Sequence, residues 1–337
     1  MERFNTYSEY CKRTFGTRVL KLAVDAGFSC PNRDAATRQG GCTFCNNDAF
    51  HPAYGKSSSS ISEQLSEALE FHLHRRPTED VARIAYFQTF SNTYGTLERL
   101  KRCCNEALRY PGIRGIIIAT RPDCVDEEKL DYLASLPSYV AVEYGIESCY
   151  DSTLLRVNRG HGFADTRKAV CATAERHIHC GGHLMFGLPG ETREMMLQEV
   201  EVMNALPLTM LKFHQLQILK GTALGSSWDV AMGVGISPKQ KQEQFGVPFR
   251  VNEYVTLVCD FLERLRPDIV IERLASEVPP RFQAAPQRGW KKTDGNTLRV
   301  EELTVMVATE LARRGTRQGS LYEKKGCLTN CKAKRLS

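Results

Sequence analysis

The chain has 337 residues, 42% of them hydrophobic, and a formal net charge of +6 from 45 Lys and Arg against 39 Asp and Glu. A large core is therefore possible, and a polyanionic partner is permitted but not required. No apolar run approaches the length that spans a bilayer, and residues 1–18 lack the apolar core of a signal peptide, so we predict a cytoplasmic protein without membrane association.

Strand-like apolar runs alternate with helical patterns along the first 220 residues. These units predict a parallel sheet with right-handed crossovers, either open or curved into a full or partial barrel. In such sheets the chemistry gathers at the carboxyl ends of the strands. The predicted strands cover residues 19–26, 84–90, 113–120, 139–146, 183–188 and 211–219, and the predicted helices cover 60–76, 97–108, 127–136, 164–178 and 191–205.

Beyond residue 219 the pattern is looser. Residues 221–246 are rich in Gly and Ser and predict a long loop, followed by helices at 251–265 and 304–314 and a short strand at 269–271. We therefore expect three parts: a β/α core at 1–220 with a cysteine loop at 27–50, an extension at 221–312 packed on the core, and a flexible basic tail at 313–337.

Thirteen cysteines, an odd number without a secretion signal, favour metal or redox chemistry over a disulfide framework. Cys42 and Cys45 form a C-x-x-C pair, and Cys30 lies upstream, all after the first predicted strand. Three interpretations compete: ordinary reduced thiols, a zinc site with His51 as the fourth ligand, and an iron–sulfur cluster with three thiolates and one open iron. Cys327 and Cys331, in the basic tail, stay without an assigned role.

The cysteine triplet after the first strand of a β/α chain resembles the radical S-adenosylmethionine (SAM) superfamily. The first gap is longer than in the common C-x3-C-x2-C motif, and residues 27–33 and 40–45 are similar to a bacterial branch related to the elongator catalytic subunit. The resemblance covers about residues 15–280. It implies a parallel-stranded partial (β/α)6 barrel with a C-terminal α/β extension, and a [4Fe–4S] cluster on Cys30, Cys42 and Cys45. It also implies SAM as cofactor and an external electron donor such as flavodoxin or ferredoxin.

The same resemblance assigns SAM contacts to the other strand ends. After the second strand, where the superfamily has a Gly-Gly-Glu segment, this chain offers three polar side chains: Gln88, Asn92 and Thr93. On the fourth strand Glu143 and Glu147 share one face, and Glu147 is the predicted contact to the ribose or methionyl part of SAM.

Two further segments carry predicted SAM contacts. Asn158-Arg159-Gly160-His161 is similar to an Asn-Arg-x-His element of oxygen-independent coproporphyrinogen oxidase, and Arg159 is the predicted clamp for the cofactor carboxylate. Gly187 opens a Gly-Leu-Pro-Gly segment that the family places near the adenosine.

The implied reaction is reductive cleavage of SAM to methionine and a 5′-deoxyadenosyl radical, which abstracts hydrogen from a substrate. Elongator-like relatives act on tRNA, so tRNA modification is the leading hypothesis. The basic residues of the tail, set against one acid, Glu323, are suited to phosphate contacts. Two alternatives stay open: a radical SAM enzyme acting on a small molecule such as a porphyrin precursor, and a non-catalytic zinc-binding protein.

Overall fold

The computed structural model describes residues 2–34, 40–50, 59–75, 81–247, 249–285, 290 and 298–323. Seven parallel strands form a single sheet in which each strand pairs with the next along the chain. The strands are β1 (Val19–Val24), β2 (Ala82–Phe87), β3 (Ile113–Thr120), β4 (Tyr139–Glu147), β5 (His179–Phe186), β6 (Met210–Gln215) and β7 (Val270–Arg273).

The sheet is curled into a partial barrel. Seven strands laid flat would separate the two edges by roughly 29 Å, at a spacing of about 4.8 Å between neighbours. Instead, Nζ of Lys21 on β1 lies 2.8 Å from Oε1 of Glu272 on β7. The predicted parallel partial barrel is therefore confirmed, with one strand more than its six predicted units.

Helices cover the outer face of the sheet. Several begin at a residue whose side chain accepts a hydrogen bond from the first turn, among them Thr96, Asp126 and Thr192. The helices are α1 (Tyr7–Phe15), α2 (Ile61–Arg75), α3 (Leu97–Arg109), α4 (Glu127–Ser135), α5 (Asp151–Arg156), α6 (Phe163–Glu175), α7 (Arg193–Ala205), α8 (Ala223–Val234), α9 (Pro238–Phe245), α10 (Val251–Arg264) and α11 (Val300–Arg313). No described helix is long and apolar enough to cross a membrane.

Both faces of the central strands are buried. On β3, Ile116 and Ile118 belong to the large core between sheet and helices, whereas Ile117 joins a smaller apolar cluster on the other face. A parallel strand covered on both sides has this continuous apolar sequence. The face of the sheet opposite the helices therefore encloses a lumen, and a cavity lies at the carboxyl ends of its strands.

The region after β6 differs from its predicted form. Residues 221–246, predicted as a long loop, contain α8 and α9, each beginning at a hydroxyl cap, Thr222 and Ser237. The predicted strand near residue 270 pairs with β6, so it belongs to the main sheet. The division into parts at residues 220 and 312 stays a prediction. Cys327, Cys331 and the rest of 324–337 lie outside the described residues.

Candidate active site

A cavity of about 210 Å³ opens at the carboxyl ends of the strands. Cys30, Cys42 and Cys45 all lie on its wall. Gln88, from the turn after β2, and Glu147, from the end of β4, line it as well. Residues that are far apart in sequence therefore meet where a parallel β/α sheet places its chemistry.

The cysteine loop is folded by its own backbone. The carbonyl oxygen of Cys30 accepts hydrogen bonds from the amides of Arg33 and Asp34 at 2.8 and 2.9 Å, and the amide of Cys45 donates to the carbonyl of Cys42 at 3.1 Å. Gly41 has a φ of +87°, and a Cβ there would lie 3.1 Å from Nε of Arg33. Glycine is therefore required for the close turn that leads into the C-x-x-C pair.

Hydrogen-bond donors face the thiols. Nη1 of Arg159 lies 3.6 Å from Sγ of Cys42, and Nδ2 of Asn32 lies 3.5 Å from the same sulfur. Nη1 of Arg121 lies 3.9 Å from Sγ of Cys30. Cations and amide donors favour a thiolate over a thiol. The surroundings of this donor set are therefore suited to anionic sulfur ligands.

Burial acts against the charge on the third cysteine. It raises the pKa of the Cys45 thiol to about 11, and the nearby Cys42 thiolate adds to the rise. In the described part of the chain no three His, Cys, Asp or Glu side chains converge closely enough to hold one ion. A cubane cluster does not require that closeness, because each thiolate binds its own iron atom. His51, the predicted fourth zinc ligand, lies outside the described residues.

Arg159 and Glu147 form a polar group at the end of β4. Nη2 of Arg159 donates to the carbonyl of Gly145 at 2.6 Å and lies 3.7 Å from Oε1 of Glu147. Glu147 has a φ of +66° at a register shift in the strand. A Cβ at Gly145 would lie 2.5 Å from Arg159 and 2.7 Å from Glu147. The missing side chain at Gly145 therefore allows the arginine and the carboxylate to face the cavity together.

The structure does not bring Asn92, Thr93 or Gly187 to the wall of the cavity. The side-chain amide of Asn92 lies within 3.0 Å of three backbone carbonyls, those of Phe87 at the end of β2, Thr89 in the turn and Ala119 on β3. Oγ1 of Thr93 lies 2.6 Å from Oγ1 of Thr120. Gly187, at a φ of +90°, has no room for a Cβ, which would lie 2.9 Å from Phe249. The Asn92 amide nitrogen and the Thr93 hydroxyl thus have partners in the fold, whereas Oδ1 of Asn92 is buried without a hydrogen-bond partner among the described residues. The role of these three residues in SAM binding stays a prediction.

Arg121 was missed by the sequence interpretation. It follows β3 directly, its side chain is 3% exposed, and Nε and Nη2 donate to the two carboxylate oxygens of Asp123 at 2.8 and 2.7 Å. The guanidinium favours the charged carboxylate, and it keeps the pKa of Asp123 below its usual value although burial opposes this. A charged pair directly after a buried strand was the signal in the sequence.

A network of charges lies deeper in the lumen, centred on Glu143. This carboxylate is fully buried and accepts hydrogen bonds from Tyr86 at 2.9 Å, His183 at 2.9 Å, Lys21 at 3.2 Å and Lys212 at 3.4 Å. Burial opposes its charge, yet the two lysines hold the pKa of Glu143 well below its usual value. The sequence placed Glu143 on the same strand face as Glu147, but it did not identify these partners.

A curled parallel β/α sheet with a cavity at its carboxyl edge places the fold in the partial-barrel class. Residues 35–203 match the Radical SAM superfamily. The chain belongs to the radical SAM superfamily and is an enzyme of that superfamily. Membership implies a [4Fe–4S] cluster, SAM and an electron donor.

The protein YtqA of Bacillus subtilis is 31% identical over 96% of this chain and 94% of its own length. A tRNA uridine(34) acetyltransferase of Methanocaldococcus infernus is 31% identical over 116 residues, which are 34% of this chain and 22% of that protein. Among solved structures, the archaeal M. infernus Elp3 with an N-terminal deletion has a similar fold, with a TM-score of 0.61 at 18% identity. That match covers 89% of this chain and 64% of the Elp3 chain.

Proposed function

We propose that Cys30, Cys42 and Cys45 bind a [4Fe–4S] cluster, and that this enzyme uses it to cleave SAM reductively and to abstract hydrogen from a substrate. The observation that carries the proposal is the presence of three thiols on one cavity wall beside the buried guanidinium of Arg159. Thiolates are the usual ligands of such clusters, and three of them leave one iron open for SAM.

The surroundings of the thiols support this fit. Hydrogen bonds to ligand sulfurs tune a cluster and orient its ligands, and Cys42 receives two donors, from Arg159 and Asn32. At Cys45 burial disfavours the thiolate, and a bound iron would offset that cost by accepting the charge of the sulfur.

When bound, the reduced cluster would supply one electron to SAM, so that the S–C5′ bond breaks and a 5′-deoxyadenosyl radical is available for hydrogen abstraction. Arg159 would pair with the SAM carboxylate through its guanidinium. Glu147 and Gln88 offer acceptors and donors for the amino group and the ribose hydroxyls. The electron comes from an external donor such as flavodoxin or ferredoxin.

Anaerobic reconstitution with iron and sulfide tests the cluster and its ligands. The wild type is expected to gain the broad visible absorption of a [4Fe–4S] centre and, when reduced with SAM, to release 5′-deoxyadenosine. Cys42→Ala should lose most of its bound iron and sulfide together with this product. Cys103→Ala, a half-buried cysteine on α3 away from the cavity, is the matched control and should keep both.

Two outcomes would contradict the assignment. One is equal product from the wild type and Cys42→Ala. The other is uptake of zinc without the visible absorption of a cluster, which would favour the zinc-binding alternative.

We propose that the substrate is tRNA. Two observations support this: the similarity to a tRNA uridine(34) acetyltransferase and the basic residues after residue 312. Binding of bulk tRNA should weaken steeply with salt, because each neutralised phosphate releases counterions. Incubation of the reconstituted enzyme with SAM, reductant and tRNA should then change the mass of one nucleoside. Salt-independent tRNA binding or unchanged nucleosides would contradict the tRNA proposal. Neither result bears on SAM cleavage, which the release of 5′-deoxyadenosine tests separately.

A further inference from the structure

The wall of the lumen between β6 and β7 carries two side chains that the proposed function does not use, Arg273 and His214. Lys212 pairs in register with His183 on β5 and with Arg273 on β7, so these three residues lie at one level of the sheet. His214 lies two residues beyond Lys212 on the same face. The four side chains therefore form a patch facing the cavity.

A register shift makes this patch possible. Ile271 is opposite Leu211 and Arg273 is opposite Lys212, so β7 has one extra residue, Glu272, at this point. Such bulges re-aim side chains. Here the shift lets Glu272 reach Lys212, with Oε1 at 3.1 Å from Nζ, while Arg273 also lines the cavity.

Among the cavity cations that are not exposed, Arg273 differs in lacking a carboxylate partner among the described residues. Arg33, at the rim, is exposed. The remaining cations are paired: Arg121 with Asp123 at 2.7 Å, Arg159 with Glu147 at 3.7 Å, and Lys212 with Glu272 at 3.1 Å. Within the described part of the chain, Arg273 is thus the one cavity cation that is not exposed and has no carboxylate partner.

Two buried nitrogen atoms of this patch also have no hydrogen-bond partner among the described residues: Nε of Arg273 and Nε2 of His214. An unsatisfied buried donor or acceptor is costly, and native structures contain few of them. Burial, with the charge of Arg273 next, holds the pKa of His214 well below its usual value, so its neutral ring has one N–H to donate. The wall therefore offers a charged fork and a neutral donor without protein acceptors.

Neighbouring side chains hold this wall in place. The amide of Gln215 pairs with the backbone of Ser276 in both directions, at 2.9 Å each way. Nε2 of Gln217 lies 3.0 Å from Oγ of the same serine. The segment that follows Arg273 is thereby fixed to the end of β6, and a fixed site binds with less loss of conformational freedom.

We propose that Arg273 and His214 bind a carboxylate or phosphate group of the substrate, so that the radical reaction acts on an anionic molecule held in the lumen. Guanidinium pairs with either oxyanion through two parallel N–H···O bonds, and both sources share this chemistry. The inference rests on the proposed function, because it takes the cavity beside the three cysteines as the reaction chamber.

The test measures binding to the reconstituted holoenzyme by calorimetry with SAM present, so that the SAM site is filled. Inorganic phosphate and propionate are the anionic probes, and propionamide is the neutral match to propionate. At least one of the two anions should bind, and propionamide should bind far more weakly. The anion that binds more tightly indicates whether the substrate group is a phosphate or a carboxylate. Arg273→Gln should weaken anion binding about tenfold or more, since charged hydrogen bonds contribute about 1.5–3 kcal/mol.

Arg281→Gln is the matched control. This exposed arginine lies over the ring of Phe282, outside the cavity, and its loss should leave the anion affinity unchanged. Arg273→Lys keeps the charge without the fork and His214→Gln keeps the guanidinium, and both should weaken binding less than Arg273→Gln. If Arg273→Gln does not fold, weaker anion binding by these two variants still tests the inference.

Equal anion affinity in the wild type and Arg273→Gln, equal binding of propionamide, or no anion binding at all would overturn the inference. Formation of 5′-deoxyadenosine without added substrate is measured on the same samples. If anion binding is normal but no 5′-deoxyadenosine forms, the result contradicts the proposed function and not the anion site.

Discussion

A single buried amide, that of Asn32, joins the cysteine loop to the segment after α5. Asn32 is 1% exposed, and its Nδ2 lies 2.6 and 2.8 Å from the carbonyl oxygens of Asn158 and Arg159 and 3.5 Å from Sγ of Cys42. Asn158 returns the contact by donating to the carbonyl of Gly41 at 2.8 Å. The positions of Cys42 and Arg159 therefore depend on one another through this amide.

Replacing this donor tests that dependence. Asn32→Asp puts a carboxylate oxygen against two carbonyls and a sulfur, which should lower the free energy of unfolding by about 1–3 kcal/mol or more. Reconstituted Asn32→Asp should also lose iron faster in air than the wild type. Asn252→Asp, exposed in the first turn of α10, is the control and should be neutral or slightly stabilising. Urea unfolding and iron release measure both effects, and equal values for the two variants would contradict the role of Asn32.

Among the secondary-structure elements, β4, β5 and α7 are connected by a pair of buried acids. Glu191, after the β5 turn, accepts from Oγ of Ser148 at 2.6 Å, and Glu199, on α7, accepts from the amide of Cys149 at 2.8 Å. Both side chains are fully buried, and each has one carboxylate oxygen without a hydrogen-bond partner in the described part of the chain. Burial raises the pKa of Glu191 to about 7, and burial together with Glu191 raises the pKa of Glu199 well above its usual value.

These raised pKa values make stability depend on pH. Between about pH 5 and pH 8 the folded state keeps protons that the unfolded chain has lost. The contribution of the two acids to the free energy of unfolding therefore falls as pH rises, by about 1.4 kcal/mol in total for each unit of pKa shift. Glu199→Gln imitates the protonated acid, so its advantage over the wild type in free energy of unfolding should grow across this range. Glu201→Gln, exposed on the same helix, should run parallel to the wild type. A pH-independent difference for Glu199→Gln would contradict the assignment.

Element prediction succeeded where a pattern was continuous and failed where tertiary contacts decide. The apolar run of β3 predicted residues 113–120, which is the strand found. The Gly- and Ser-rich segment before residue 246 suggested a loop, but Leu224 and Trp228 of α8 are buried beside Phe44 of the cysteine loop. That packing stabilises a helix whose local sequence favours it weakly, and a sequence window cannot contain the partner.

At the scale of the whole molecule, the site could be predicted only as far as strand ends could be recognised. The three cysteines, Gln88, Glu147 and Arg159 were assigned through the resemblance to the radical SAM superfamily at recognised strand ends, and all line one cavity. The ion pairs inside the lumen could not be predicted, because Lys21 and Glu272 meet only once the sheet has curled. Curvature and register shifts are properties of the whole sheet, and hydrophobic alternation does not encode them.

The two ends of the described chain also meet at β7. The amide of Gln318, in the tail that we predicted to be flexible, donates to the carbonyl of Arg3 at 2.8 Å, and Oε1 of Gln318 accepts from the amide of Asn5 at 2.9 Å. Nε2 of Gln318 lies 2.9 Å from the carbonyls of both Arg266 and Ile269. Residues 3–6 and 318 therefore cover the start of the edge strand, where exposed backbone groups would otherwise invite pairing with another chain.

Removing the side chain of Gln318 should loosen this closure. Gln318→Ala leaves the amide of Asn5 and two buried carbonyls without their partner, so the free energy of unfolding should fall by about 1–3 kcal/mol. Exchange of the Asn5 and Ile271 amides with deuterium should speed up, because the latter donates to the carbonyl of Asn5 at 2.7 Å. Arg317→Ala, exposed beside it, should stay within about 0.5 kcal/mol of the wild type. If both variants exchange and unfold like the wild type, Gln318 does not hold the ends together, and the edge of β7 is protected by its backbone pairing with Asn5 alone.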